Sequence, residues 1–203
     1  TFRHHTITAL PLQAVLISIV IHALWGGNPV AAKFGLLVFP PMWSAFIRFV
    51  IGIVCIVGWA AVRGIPMWPK PGEWRLLIML GILFVLQIGA MYIGFDLTQG
   101  SIAVILISTN PFFAALAAHF MIVGDHLSAR KVIGLIVAFA GIVVVLLGGF
   151  TFENLNRVGL GGVVVLLSAV LLGLRLVCMA KVQQKISGVR VVLWQMILSL
   201  PLF

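Results

Sequence analysis

Polar and charged side chains set inside long apolar runs are where this chain could do chemistry. Asn28, Gln87 and Asn110 bring amide donors and acceptors, Lys33, Arg48 and Arg175 bring fixed positive charge, and Tyr92 brings a phenol beside an indole at Trp25. Amides can orient a small solute through paired donors and acceptors, and cations facing a cavity would favour anionic or zwitterionic solutes. Catalysis has no comparable set. The chain holds no His-Glu-x-x-His, no paired carboxylates within a run and no nucleophile beside a base, so an enzyme is not expected. Cys55 and Cys178 lie apart in apolar surroundings, without His or carboxylate at ligand spacing, which implies no disulfide framework, no metal site and no cofactor.

The elements that must position these groups are membrane helices. Runs at 12–38, 42–62, 74–95, 101–123, 132–149 and 158–180 are each close to a bilayer's width in length, and a seventh, 191–203, is shorter. A helix rises about 1.5 Å per residue, so roughly 20 apolar residues cross the hydrocarbon. With 63% hydrophobic and 8% charged residues, a water-soluble domain would lack the polar side chains to cover its surface. The runs do not alternate in polarity as the strands of a membrane barrel do. The expected fold is therefore all-α, a polytopic transmembrane bundle. The first run is too long for the core of a signal peptide and is expected to be retained. Both ends of the chain, Thr1 and the apolar Leu200-Pro201-Leu202-Phe203, read as edges of a longer protein.

The formal charge of +9 is explained by topology rather than by nucleic acid. Arg3, then Arg63, Lys70 and Arg75, then Arg130 and Lys131, then Lys181, Lys185 and Arg190 occupy the N-terminal tail and every second connection. Retention of Lys and Arg on the inside places the N-terminus in the cytoplasm. Trp43, Trp68 and Trp74 sit at run ends, as headgroup anchors do.

Asn-Pro occurs twice within runs, at Asn28-Pro29 and Asn110-Pro111. Each proline removes a backbone donor and displaces the carbonyl four residues earlier, that of Trp25 or of Ile107. A freed carbonyl in lipid needs a neighbouring helix, a hydroxyl or water. By helical rise Asn28 lies about 16 Å, Gln87 about 12 Å and Asn110 about 14 Å below the outer ends of their runs. Three amides at one depth either bond one another across helices or line a polar cavity. Lys33 and Arg48 lie about 10 Å below the outer turn. Asp96 is the carboxylate that could join them in a network, and snorkelling is the alternative for Lys33. Arg175, about two turns from the inner end of its run, is expected to snorkel. His22 and His119 are expected to pack rather than relay protons. Gly134, Gly141 and Gly148 form a stripe on the fifth helix suited to close helix packing.

Several of these residues stand in a familiar order. Ala23-Leu24-Trp25-Gly26-Gly27-Asn28-Pro29-Val30-Ala31-Ala32-Lys33 resembles the opening of EamA-type members of the drug/metabolite transporter superfamily. Ser44-Ala45-Phe46-Ile47-Arg48-Phe49 resembles that family's second-helix arginine motif, and Ser108-Thr109-Asn110-Pro111-Phe112 its fourth-helix proline. Val123-Gly124-Asp125-His126-Leu127-Ser128 resembles the turn before helix five, with Asp125 in place of glutamate. The resemblance implies ten helices in two inverted five-helix repeats, of which this chain would hold a tail at 1–11, the first repeat at 12–150 and the opening of the second at 151–203. Sliding the chain by about 147 positions sets Gly26 on Gly173, Asn28 on Arg175, Pro41 on Gly188 and Arg48 on Gln195, a faint internal symmetry. Arg175 departs from the pattern, which implies an aromatic or small residue there.

The function this implies is a secondary transporter, exporting or exchanging small metabolites such as amino acids by alternating access. Trp25, Asn28, Gln87, Tyr92 and Asn110 would bind the solute, Pro29 and Pro111 would break the helices, and Lys33, Arg48 and Asp96 would set the cavity's electrostatics. Its partners would be a small-molecule substrate and the lipid bilayer, with no nucleic acid, and a homo-oligomer is left open. A bacterial plasma membrane is the expected location. The alternatives are a non-transporting membrane scaffold, whose interior would be dry, and a membrane-embedded enzyme.

Overall fold

The computed structural model describes residues 12–122, 127–149 and 159–202, leaving aside the side chains at 14, 22, 25, 28–30, 32, 33, 101, 142, 143 and 145–149. Every regular element among the described residues is helical: α1 (Leu12–Leu36), α2 (Pro41–Val62), α3 (Trp74–Leu97), α4 (Gly100–Ile107), α5 (Asn110–Met121), α6 (Ala129–Gly149), α7 (Gly159–Gln183) and α8 (Gly188–Ser199), closed by a 3₁₀ turn at Leu200–Leu202. Four spans among them are long and apolar enough to cross a membrane: Pro41–Val62, Trp74–Leu97, Ile102–Met121 and Gly159–Gln183. The protein is an all-α polytopic bundle integral to a membrane. Large apolar side chains such as Ile17, Val54, Ile133 and Val163 lie exposed on its outside, as a surface facing acyl chains requires.

The fourth run is two helices rather than one. Pro111 has no N–H to offer Ile107, and the three residues before it close the break themselves. Ser108 Oγ donates to Val104 O at 2.7 Å, Thr109 Oγ1 to Leu106 O at 2.6 Å and Asn110 Nδ2 to Ile107 O at 2.9 Å. The Ile107 carbonyl that the proline would leave unpaired in hydrocarbon is thus paired by Asn110, while Val104 O and Leu106 O accept backbone N–H groups as well as the hydroxyls.

The centre of the bundle is the pair α3 and α7. Phe84, Ile88, Tyr92 and Phe95 of α3 pack with Val165, Ala169 and Leu172 of α7 in the larger core, and Leu77 and Leu80 pack with Cys178 and Val182 in the smaller. Glycines bring these backbones together. A Cβ on Gly94 would fall 2.9 Å from Val165 N, and one on Gly161 would fall 2.8 Å from Leu97 O. Among the described residues the stripe expected to do this on α6 does not, since a Cβ on Gly134 or on Gly141 would meet none of them within 4 Å, and Gly148 lies outside the described side chains. The apolar drive between helices is weak in lipid, so close approach depends on which partner helix is present. Here that partner contact belongs to α7.

The basic connections meet on one face. Arg190 at the start of α8 reaches Glu73 beside the start of α3, with Nη1 at 2.8 Å from Oε2, and Lys181 near the end of α7 donates to Met121 O at the end of α5 at 2.8 Å.

Candidate functional site

Between α2, α3, α7 and α8 lies a cavity of about 340 Å³. Each helix contributes one polar group to its wall: Arg48, Tyr92, Arg175 and Gln195. Much of the remainder is apolar, with Phe49, Phe84, Met91 and Met196 among the lining side chains. Arg48 is carried on α2 about two turns from the Phe39-Pro40-Pro41 corner, and its Nη1 donates to Tyr92 Oη at 3.2 Å. The same two residues also wall a second cleft of about 380 Å³, shared with Ala31, Gly35 and Phe39. Arg48 and Tyr92 therefore stand between the cleft beside α1 and this cavity.

Arg175 does not snorkel. It is 7% exposed, its Nη1 donates to Gln195 Oε1 at 3.3 Å, and its guanidinium lies 4.9 Å from the centre of the Phe84 ring. A charge at the middle of a membrane helix costs about 2.5–3.5 kcal/mol on insertion scales, which directs it inward when partners exist there. The Gln195 carbonyl and the face of Phe84 are those partners. Nε of Arg175 is buried without a partner among the described residues.

The expected trio of amides is not assembled around this space. Gln87 is 1% exposed and lines neither cavity. Its Nε2 donates to Ser168 Oγ at 3.3 Å while Ser168 Oγ donates to Gln87 O at 2.8 Å, so it ties α3 to α7. Asn110 lines neither cavity either, because its donor serves the Ile107 carbonyl. Trp25, Asn28, Pro29 and Lys33 lie outside the described side chains, although α1 runs unbroken through positions 28 and 29. Asp96 is exposed at the C-terminal end of α3, and no ion pair among the described residues joins it to Arg48. His119 Nδ1 accepts from Leu127 N at 3.4 Å. Among the described residues no group of His, Cys, Asp or Glu could hold a metal ion.

Three residues of this region, Ser168, Phe84 and Gln195, are not singled out by sequence reasoning as site residues. Ser168 is visible as a hydroxyl in the middle of an apolar run, and Gln195 as the position that the internal shift sets on Arg48. Phe84 carries no signal, since one aromatic among many is marked only by the cation above it.

The local role of Asn110 has a measurable consequence. Asn110→Ala should lower stability by about 1–2 kcal/mol, the cost of leaving Ile107 O unpaired, read by thermal unfolding in micelles. Unchanged stability would mean the carbonyl finds another donor.

Relatives point the same way as the architecture. Residues 12–147 match the EamA-like transporter family. A protein of Archaeoglobus fulgidus described as an uncharacterized transporter is 28% identical over 127 residues, which is 62% of this chain and 43% of that protein. The chain thus spans under half the length of that relative. No solved structure matches the chain. With the family match covering more than half of its residues, the chain belongs to the EamA-like transporter family.

Proposed function

We propose that this protein forms part of a secondary transporter that moves small metabolites across a bacterial plasma membrane by alternating access, with its N-terminus in the cytoplasm. The observation that carries this reading is the half-open cavity of about 340 Å³ between α2, α3, α7 and α8, whose polar groups are contributed singly by four helices. A packed scaffold would have no use for Arg48, Tyr92, Arg175 and Gln195 around unfilled space, since each polar group in lipid is costly unless it serves a solute or a partner. Arg48 and Tyr92 serve as the outer wall, between the inner cavity and the cleft beside α1. Trp25 and Asn28 of α1 complete the proposed site from that side, with Lys33 adding charge near the mouth. Gln87 and Asn110 support the site by fixing α3 on α7 and by closing the break before α5. The basic face formed by the α2–α3, α5–α6 and α7–α8 connections is the cytoplasmic one in this reading.

Filling the cavity tests it. Met196 lines the space, and Met196→Trp should reduce solute flux in proteoliposomes at least tenfold while leaving the helical content and the elution volume in micelles unchanged. Flux that survives a filled cavity would show that solute takes another path.

A further inference from the structure

We infer that the inner cavity is an anion site, shaped for a small organic acid with an apolar body, so that organic anions rather than amino acids or cations are the solute class. The inference rests on the transporter reading for the word solute, but the site itself is argued from charge.

Two guanidinium groups, Arg48 and Arg175, line the cavity, and among the described residues no carboxylate does. The chain has four acidic residues in all. Glu73 is taken by Arg190, Asp96 forms no ion pair with either cavity arginine among the described residues, and Asp125 and Glu153 lie outside those residues. Arg175 is the decisive group. It is 7% exposed, and both of its observed partners, the Gln195 amide oxygen and the Phe84 ring, are uncharged. These contacts solvate the cation without neutralising it. Its Nε is buried without a partner among the described residues, so the hydrogen bonding of the planar fork is incomplete as it stands. A carboxylate satisfies such a fork and supplies the missing charge together.

The rest of the wall defines the other end of the ligand. Phe49, Ile88, Met91 and Met179 offer aromatic, branched and thioether surfaces, and methionines adapt to flat or irregular apolar groups. A volume of about 340 Å³ suits a small molecule. An amino acid fits less well than the corresponding acid, because its ammonium would meet two like charges and no carboxylate among the lining residues.

The test compares acids with their neutral isosteres. The purified protein in micelles is titrated calorimetrically with benzoate, phenylacetate and indole-3-acetate, each beside its primary amide, and with phenylalanine. At least one acid should bind tenfold or more tightly than its amide, and phenylacetate more tightly than phenylalanine. Arg175→Gln should bring the acid-to-amide ratio below threefold, and Arg48→Gln should lower it as well. Amides that match their acids in the unsubstituted protein, or phenylalanine that exceeds phenylacetate, would overturn the inference without any variant, so misfolding of Arg175→Gln does not remove the test. Flux in proteoliposomes separates the two readings. An acid that binds by this pattern and does not cross the membrane sinks the transporter reading and keeps the anion site. Transport of benzylamine or of the amides without preference for any acid keeps the transporter and sinks the anion site.

Discussion

Gly173→Leu should prevent the bundle from assembling. A Cβ at position 173 would lie 2.6 Å from Ala114 N and 2.8 Å from both the carbonyl carbon and the Cβ of Phe113. Two of those three atoms are backbone, and backbone in the middle of a helix cannot swing aside as a flexible side chain can. α5 and α7 would have to separate, and in lipid no hydrophobic drive pulls them back together. Gly173→Ala alone should cost about 1–3 kcal/mol as an overpacked core site. The leucine should leave the protein unable to reach a monodisperse fold, seen as loss of the folded peak in size-exclusion chromatography. Gly134→Leu is the matched control. Nothing lies within 4 Å of its Cβ position, so its effect should stay within about 0.5 kcal/mol, the range for surface substitutions. Equal damage from both would mean that α6 has a partner at its glycine face.

These two glycines also show where reading the sequence succeeds and where it stops. Apolar length and composition place the helices within a few residues, because the bilayer sets one dimension and every spanning segment must meet it. The break in the fourth run is only half legible, since Asn110-Pro111 marks it, whereas the same pair at Asn28-Pro29 leaves α1 continuous. Which glycines touch a neighbour is a different kind of fact. The heptad spacing of Gly134 and Gly141 is a better local pattern than Gly161 and Gly173, but a pattern on one helix does not say which helix faces it.

Arg175 fails for a related reason. Its distance from the run's end suits snorkelling, and only the arrival of Gln195 from α8 and Phe84 from α3 makes the inward rotamer favourable. The sequence does contain a trace of that pair. The shift of about 147 positions that sets Asn28 on Arg175 and Arg48 on Gln195 picks out two residues that are hydrogen-bonded in the structure. Gln87 and Asn110 are legible as costly amides that need partners. Those partners are Ser168 Oγ and Ile107 O, although Gln87 Oε1 is buried without one among the described residues.

Glu73→Gln should be the most damaging change outside the helix contacts, at about 3 kcal/mol. Glu73 precedes Trp74, the first residue of α3, and its carboxylate accepts from Lys70 N at 2.9 Å and from Arg190 Nη1 at 3.0 and 2.8 Å. The two side chains are only 10% and 13% exposed, and Arg190 Nε is already buried without a partner among the described residues. Neutralising the glutamate leaves an uncompensated guanidinium at a desolvated end of the bundle, and breaking a buried pair from one side typically costs about 3–5 kcal/mol. Removing both charges is a different case. In Glu73→Gln with Arg190→Met neither charge is stranded, and most of the loss should be recovered, giving a double-mutant coupling of about 2 kcal/mol. The pair also holds the α2–α3 connection in place. Trp194 Nε1 donates to Met67 O at 2.8 Å, and the Trp194 ring packs against Trp68 and Trp74 at 5.8 and 4.9 Å, so α8 grips this connection by an ion pair, a hydrogen bond and packed indoles. With the ion pair broken, tryptic cleavage after Arg63 should accelerate before global unfolding, the Lys70-Pro71 bond being resistant. If cleavage and unfolding rise together, or if the double variant is no more stable than Glu73→Gln, the indoles rather than the charges fasten the connection.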